Sequence, residues 1–554
     1  MQKQMDFLFL FLKELNKLMK NILKNFKLSL FFKNNLYNQI FNKDIDGKIQ
    51  YNPESLWKGS KFVGSRIIDG FLNFQKESVF IDDNVWDKNH GSVAWNSYLH
   101  SFMWIKDVRS LGTDEARIFA RGKILSWIDK SDYLSQYIWN EDVLSKRIFY
   151  LLTNLTFFFE TANESFQKKF AENINKQSVL LLKKIKKVKN LKNKIFISKS
   201  LLLASLCFKN LEKNFDYSVK LLQKTIETTI KDGMHYLRSP SEHFYFLCSI
   251  LDIKNFFGNL NKELPIGLNE TIKEMTLILD FFRIGDGHLA IFNKYDFIGS
   301  NKIYNLQKKI GHKYRLPSVS ECSGFNRVSK NKLIFIMDCG SPSMEKTQAG
   351  SLSFELSYLS EKIVVNCGSP FVNNREWDDA MRSTAAHSTL NINEINSSDI
   401  FFDKDTTSRI AKVFSEKFNE NENVWINSYH EGYKDIFSII HKRLIHIDLK
   451  NFVIRGEDSF EHIKTNQKHK NLKYFLRFHI HPSIKLNVTT SKKKVVLKLR
   501  NNQGWEFICS EPKIEIHDGI YLGENKVVQP NYHILIKDHI FPKTKINWLF
   551  RLIT

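Results

Sequence analysis

The residues of this chain that could do chemistry are few and widely spaced. Between Gln348 and Leu390 an amide (Gln348), a strand-end Asn366 and an imidazole (His387) fall where successive strands would bring them to one end of a sheet. Two amides and one imidazole can hydrogen-bond a polar ligand or move one proton. They make a poor zinc site, because zinc selects imidazole, thiolate and carboxylate. His479 and His481 flank Ile480 within Phe475 to Pro482, and in a strand both rings would share a face, a geometry metals use; no third ligand lies in sequence reach, so a structural pair is expected. Gly285-Asp286-Gly287-His288 reads as a turn, with glycine for positive φ and Asp286 as a cap. Cys207, Cys248, Cys322, Cys339, Cys367 and Cys509 show no CxxC pair and read as buried thiols. No carboxylate pair stands out for hydrolysis.

These groups need strands and helices to position them. Leu352, Phe354, Leu356 and Tyr358 alternate with Ser351, Ser353, Glu355 and Ser357, which predicts a half-buried antiparallel strand. Lys362 to Asn366 predicts a second, ending in the turn Cys367-Gly368-Ser369-Pro370, and Leu390 and Ile392 begin a third. Upstream the period is helical, in stripes such as Trp95, Leu99, Phe102, Ile105, then Val219, Leu222, Ile226, Ile230, then Leu268, Ile272, Met275, Leu279. Seven or more such helices predict an all-α domain, introduced by a small hairpin from the β-prone runs between Leu56 and Phe80. Six of the ten tryptophans (Trp57, Trp86, Trp95, Trp104, Trp127, Trp139) lie in its first part. Sugar rings stack on such side chains, but for any one of them helix core is the expected place. After Gly285–His288 the pattern alternates, at Leu333 to Met337, Leu444 to Asp448, Val495 to Leu499, His533 to Ile536 and Ile546 to Phe550. Helices first and strands afterwards mean two segregated domains, with a boundary near 305–325.

Length and composition agree. A chain of 554 residues exceeds one ordinary core, and 42% hydrophobic with 13% aromatic residues excludes disorder. The formal charge of +23 invites an anionic partner. Lys, Asn, Ile and Phe are abundant together, however, and the lysines are spread, so compositional bias is the expected source of the charge. No nucleic-acid module is recognisable, and nucleic acid is not an expected partner. The apolar run at the N-terminus is broken by Lys13 and Glu14 and is too short to cross a membrane. It predicts an amphipathic helix, packed on the body or resting on a membrane surface.

Three separated runs carry a resemblance. Leu352 to Ser357 (LSFELS), Val365 to Gly368 (VNCG) and Arg382 to Thr389 (RSTAAHST), in that order, closely resemble the C-terminal domain of the heparinase II/III-like polysaccharide lyases; Leu99 to Asp107 and Trp139 to Val143 resemble a subgroup of the same family. The resemblance implies an N-terminal (α/α) toroid followed by a C-terminal antiparallel β-sandwich, with a basic lead-in over 1–54, the toroid over 55–310 and the sandwich over 320–554. It implies β-elimination on a uronic-acid glycan in the cleft between the domains, in a periplasmic or envelope setting; with no clear signal peptide, a cytoplasmic setting stays open. Such chemistry needs the carboxylate neutralised, a base for the C5 proton and an acid for the leaving oxygen.

Asp232 to His243 (DGMHYLRSPSEH) is similar to the family's toroid motif, with Glu242 at its tyrosine position and His243 matching. Gln348 and Asn366 stand at the metal His and Asp positions, Lys346 at the catalytic His position, and His387 is retained. The resemblance therefore implies His243, His387, Glu242, Tyr236 and Arg238 as catalytic residues, with Lys346, Gln348 and Asn366 on the substrate. It implies no cofactor, since the zinc site is degenerate, and an acidic polysaccharide as partner. The alternative is a catalytically impaired glycan-binding or envelope-assembly protein on the same fold.

Overall fold

The structure, a computed structural model, describes residues 48–553 except 75–76, 83, 87–89, 132–135, 189, 192–193, 294–295, 312–315, 346–347, 370–374, 401–408, 464–470, 511–512 and 525–526. The N-terminal amphipathic run and Lys346 lie outside the described residues. Two compact units result, one of Met1–Thr229 with Ser249–Ile266, the other of Ile230–Cys248 with Gly267–Thr554.

The first unit is helical, through Val93–His100, Asp114–Lys130, Glu141–Leu152, Glu164–Ile185, Ile195–Cys207 and Phe215–Thr229. Four of these start where Ser92, Thr113, Asn140 and Asn163 accept the N–H three residues on, the N-cap bond that satisfies an orphan donor. The stretch read as β-prone behaves in two ways. Lys61–Ile68 is a helix, capped by Ser60 and packed so closely that a Cβ on Gly64 would lie 2.2 Å from the Asp107 carbonyl oxygen; β1 (Phe71–Phe74) and β2 (Glu77–Phe80) form the hairpin. Trp86, Trp95, Trp104, Trp127 and Trp139 are all buried core. Among them Arg147, fully buried, lies between the Trp127 and Trp139 rings (4.3 and 4.9 Å), donating to Gln177 Oε1 and to the His100 and Ile138 carbonyls. Burial pushes its pKa down to about 9.

The second unit begins with the short ladder β3 (Ile230–Lys231) and β4 (Met234–His235) and the helices Pro240–Asn259, Leu268–Phe281 and Ser300–Ile310, of which the first reaches Cys248 within this unit. Two antiparallel sheets follow. In chain order their strands are β5 (Val319–Cys322), β6 (Phe325–Lys330), β7 (Leu333–Asp338), β8 (Phe354–Tyr358), β9 (Glu361–Val365), β10 (Leu390–Ile392), β11 (Val413–Glu420), β12 (Asn423–His430) and β13 (Ile439–Asp448). Then come β14 (Val453–His462), β15 (Lys473–Ile480), β16 (Lys485–Val488), β17 (Lys494–Lys498), β18 (Gly504–Cys509), β19 (Glu515–Tyr521), β20 (Gln529–His539) and β21 (Lys545–Ile553). One sheet runs β19-β20-β15-β9-β8-β7-β6-β5 with β10 on β15, the other β11-β12-β13-β14-β21-β18-β17-β16.

Phe354 and Phe478 of the first sheet pack on Trp548 of the second (5.6 and 4.8 Å), making one core from both inner faces. A buried polar network lies in it. Asp458 accepts from Arg443 (2.8 Å), His441 (2.7 Å) and Trp548 Nε1 (2.8 Å), while Arg443 Nη1 donates across to the Leu352 carbonyl (2.7 Å). β8 departs from the half-buried expectation: Ser353, Glu355 and Ser357 are as buried as the apolar residues between them. Its second face is covered by the chain around residues 285–293, where Ser357 Oγ accepts the Gly285 N–H at 3.3 Å, and Glu355 accepts the backbone N–H of Asn366 at 3.1 Å.

Candidate functional site

All of the described site residues expected from the sequence lie in the second unit. The Asp232–His243 run is a hairpin followed by a helix start. Asp232 (φ 48°) and Gly233 (φ 73°) turn β3 into β4, and Pro240 opens the next helix with Ser239 Oγ accepting the Glu242 N–H. Between them Arg238, at φ 54°, turns its guanidinium to the ends of β6 and β7. There it donates to the Ser323, Gly340 and Ser341 carbonyls (2.9 to 3.1 Å) and to Asp338 (2.5 Å), and stacks on Phe325. Arg238 is thus a clamp for this loop, its fork turned to the protein's own acceptors.

His243 is fully buried. Its Nε2 donates to the Met275 carbonyl at 2.7 Å and its Nδ1 accepts the His235 N–H at 3.4 Å. Burial lowers its pKa to about 4 against the pull of the Met275 bond, so the ring is neutral and both nitrogens are in use. Tyr236 donates to Glu345 at 2.6 Å. Burial first, then this bond and the nearby Glu345 and Glu242 charges, push its pKa up, which disfavours the phenolate that a base would need. Glu242 is half-buried, near Tyr245, whose pKa is raised by burial first, then by Asp296, to which its hydroxyl donates at 3.0 Å, and least by Glu242.

At the sandwich end Asn366 is buried and saturated by backbone. Its Nδ2 donates to the Ile291 carbonyl (2.9 Å) and its Oδ1 accepts the Ser388 N–H (3.0 Å). His387, also buried, donates from Nδ1 to the Ser383 carbonyl at 2.7 Å, and its ring lies so flat on Gly350 that a Cβ there would be 2.5 Å from Cδ2. Its pKa is lowered by burial. Gln348, two residues before Gly350, is buried. As a zinc site this set does not fit, since Asn366 spends its amide on two backbone partners and, among the described residues, no carboxylate or thiolate bonds His387. Among the described residues no three imidazole, thiol or carboxyl groups converge as metal ligands.

The His479/His481 pair divides between two networks. His479 donates to the Ala385 carbonyl (2.8 Å) and meets the Cys367 thiol (3.3 Å), whose pKa burial pushes up to about 12. His481 meets Ser483 (2.8 Å) and Glu524 (3.1 Å). Through Glu524 it joins a chain the sequence did not reveal: Lys362, almost fully buried, bridges Glu524 (2.7 Å) and Asp286 (3.0 Å), and Asp286 lies 3.0 Å from His288. Burial raises Asp286, but His288 and Lys362 outweigh it and hold the carboxyl below the usual range; the His481 bond leads in taking Glu524 down to about 2. Glu355 behind them is raised by burial to about 7. Sequence reading singled out His481 and the Asp286–His288 turn separately, but nothing local linked them to Lys362, inside a strand pattern, or to Glu524, in the loop after β19.

Residues 316–549 match the family model described as Heparinase II/III-like, C-terminal. Residues 316–549 thus form a heparinase II/III-like C-terminal domain. The fold of the chain is the toroid-and-sandwich architecture of helices followed by antiparallel sheets, shared with the crystal structure of heparinase III (TM-score 0.71, 14% identity, 96% of this chain and 91% of that one). A heparan sulfate lyase of Pedobacter heparinus superposes with TM-score 0.62 at 14% identity over 89% and 82% of the two chains. FtsZ-localized protein C of Caulobacter vibrioides is 22% identical over 507 residues, 88% of this chain and 87% of its own. The fold shared with these structures extends over nearly the whole chain.

Proposed function

We propose that this heparinase-fold protein does not cleave glycans, and acts instead as a binding or assembly protein of the bacterial cell envelope where FtsZ assembles. The observation that carries this reading is His243: the one residue of the toroid motif that matches the family's reactive pair is sealed in the protein with both ring nitrogens bonded. Tyr236 supports it, because its proton is held on a carboxylate rather than poised to leave. The donor set at Gln348, Asn366 and His387 supports a protein that works without zinc. The place of action is supported by the relative whose name records FtsZ localisation, with which this chain shares most of its length. An acidic, uronic-acid-containing polysaccharide is the ligand class the lyase fold favours, and +23 of formal charge suits it.

The test combines two measurements. Purified protein incubated with a panel of uronate glycans should give no rise in absorbance near 230 nm, whereas a rise that His243→Ala abolishes would restore the lyase reading. A fluorescent fusion should gather at the FtsZ ring; uniform distribution along the cell would remove the division-site part. Metal analysis of protein purified without chelator should find zinc well below one per chain.

A further inference from the structure

The eight-stranded sheet has an open edge with an unusual surface. β11 is its first strand, eight residues long, and pairs with β12 without a register break from Val413↔His430 to Glu420↔Asn423. Only Asn421 and Glu422 separate Glu420 from Asn423, with Asn421 at φ 53°. A two-residue hairpin makes the residues that flank it a hydrogen-bonded pair, and bonded and non-bonded pairs alternate from there. Phe418, Glu416 and Phe414 are then bonded to β12, and the N–H and C=O groups of Ser415, Lys417 and Asn419 face the open edge. Val413 confirms the direction, since its N–H leaves the sheet for Ser341 Oγ at 3.1 Å. Among the described residues no hydrogen bond reaches the backbone groups of Ser415, Lys417 or Asn419. Proline, a bulge and brevity, three of the usual ways of blunting an edge, are absent from β11, and its one lysine, Lys417, is turned to the inner face and paired with Glu321 at 3.6 Å.

The side chains beside this edge repeat. Phe414, Glu416, Phe418 and Glu420 all stand on the outer face and are exposed. Phe414 stacks on Tyr429 (4.8 Å), Phe418 packs on Trp425 (5.5 Å) and Trp425 stacks on His446 (4.9 Å), so the ring ladder crosses the sheet and stops at β11 with its last rings uncovered. Glu416 and Glu420 carry no ion pair among the described residues. A second copy is a poor occupant: centring two antiparallel β11 strands on Glu416 or on Lys417 sets like charges opposite each other.

We propose that β11 is a docking edge for an extended peptide of a partner protein, one that adds a strand and presents apolar and basic residues in alternation to Phe414, Glu416, Phe418 and Glu420. Backbone bonds to Ser415, Lys417 and Asn419 supply affinity, and the alternating face supplies register and specificity. The proposal rests on the strand and not on the functional reading above. The probe is a labelled synthetic octapeptide with valine or phenylalanine alternating with lysine on one face and threonine on the other, titrated into the full chain at low salt. Saturable binding is expected, with slowed amide exchange at residues 413–420. Roughly tenfold weaker binding is expected in the Glu416→Lys/Glu420→Lys double variant and a smaller loss in Phe418→Thr, with thermal stability unchanged because these side chains are exposed. Equal binding of a peptide carrying glutamate for lysine would overturn it. So would an absence of exchange protection over β11, or self-association of the chain that the double variant abolishes.

Discussion

His243 shows how a residue expected at a reactive site can be taken up by internal bonds. With one nitrogen on the Met275 carbonyl and the other under the His235 N–H, it ties the helix Leu268–Phe281 and β4 to the start of the helix Pro240–Asn259. His243→Ala removes a buried ring and strands both partners, and should lower stability by about 2–4 kcal/mol in a denaturant melt. Glu355 gives a pH signature. Its folded pKa, raised to about 7, lies above the unfolded value near 4.5, so the folded state holds a proton the unfolded state has released, and stability falls as pH rises through that window. Glu355→Gln should flatten the fall in melting temperature between about pH 5 and 7. Glu524, lowered to about 2, acts with the opposite sign: its contribution is present above about pH 4.5 and is lost as pH drops towards 2.

At the scale of elements, alternation and helical period located most of what was expected of them. The strands at Leu333, Leu352, Leu444, Val495, His533 and Ile546 are present, and the helical stripes are helices except that Trp95–Ile105 is split into Val93–His100 and Ile105–Arg109 by a turn at Phe102 (φ 55°). Two other readings departed, for different reasons. Lys61–Ile68 is helical because Ser60 caps it and Gly64 lets its backbone approach Asp107, and a long-range contact of that kind has no local sequence signal. β8 alternates polar and apolar residues but is covered on both faces, so its serines and Glu355 are buried hydrogen-bonding groups. Arg147 makes the point among the helices, where a charged residue inside a stripe proves to be the hub of the tryptophan core. Arg147→Ala leaves Gln177 and two carbonyls without their donor beside a large void, and should cost about 3–5 kcal/mol by chemical denaturation.

At the scale of the molecule, two units with separate cores should not melt as one. Calorimetry should resolve two transitions. Arg147→Ala should lower only the one from the helical unit, and Asp458→Asn, which breaks the buried bonds to Arg443 and His441, only the other. A single transition lowered equally by both substitutions would contradict this.

The sequence by itself determined the order of helices and strands and the heparinase II/III-like C-terminal domain, because periodicity and residue identity are local properties that survive without coordinates. Tertiary structure decided what the remaining polar groups do. Whether His243 faces a substrate or the Met275 carbonyl, whether Arg238 is free or clamped on three carbonyls, and whether Lys362 meets water or two carboxylates depend on chain segments distant in sequence. Burial and hydrogen-bond partners are set by those segments, and burial and partners fix both the pKa and the reach of each group.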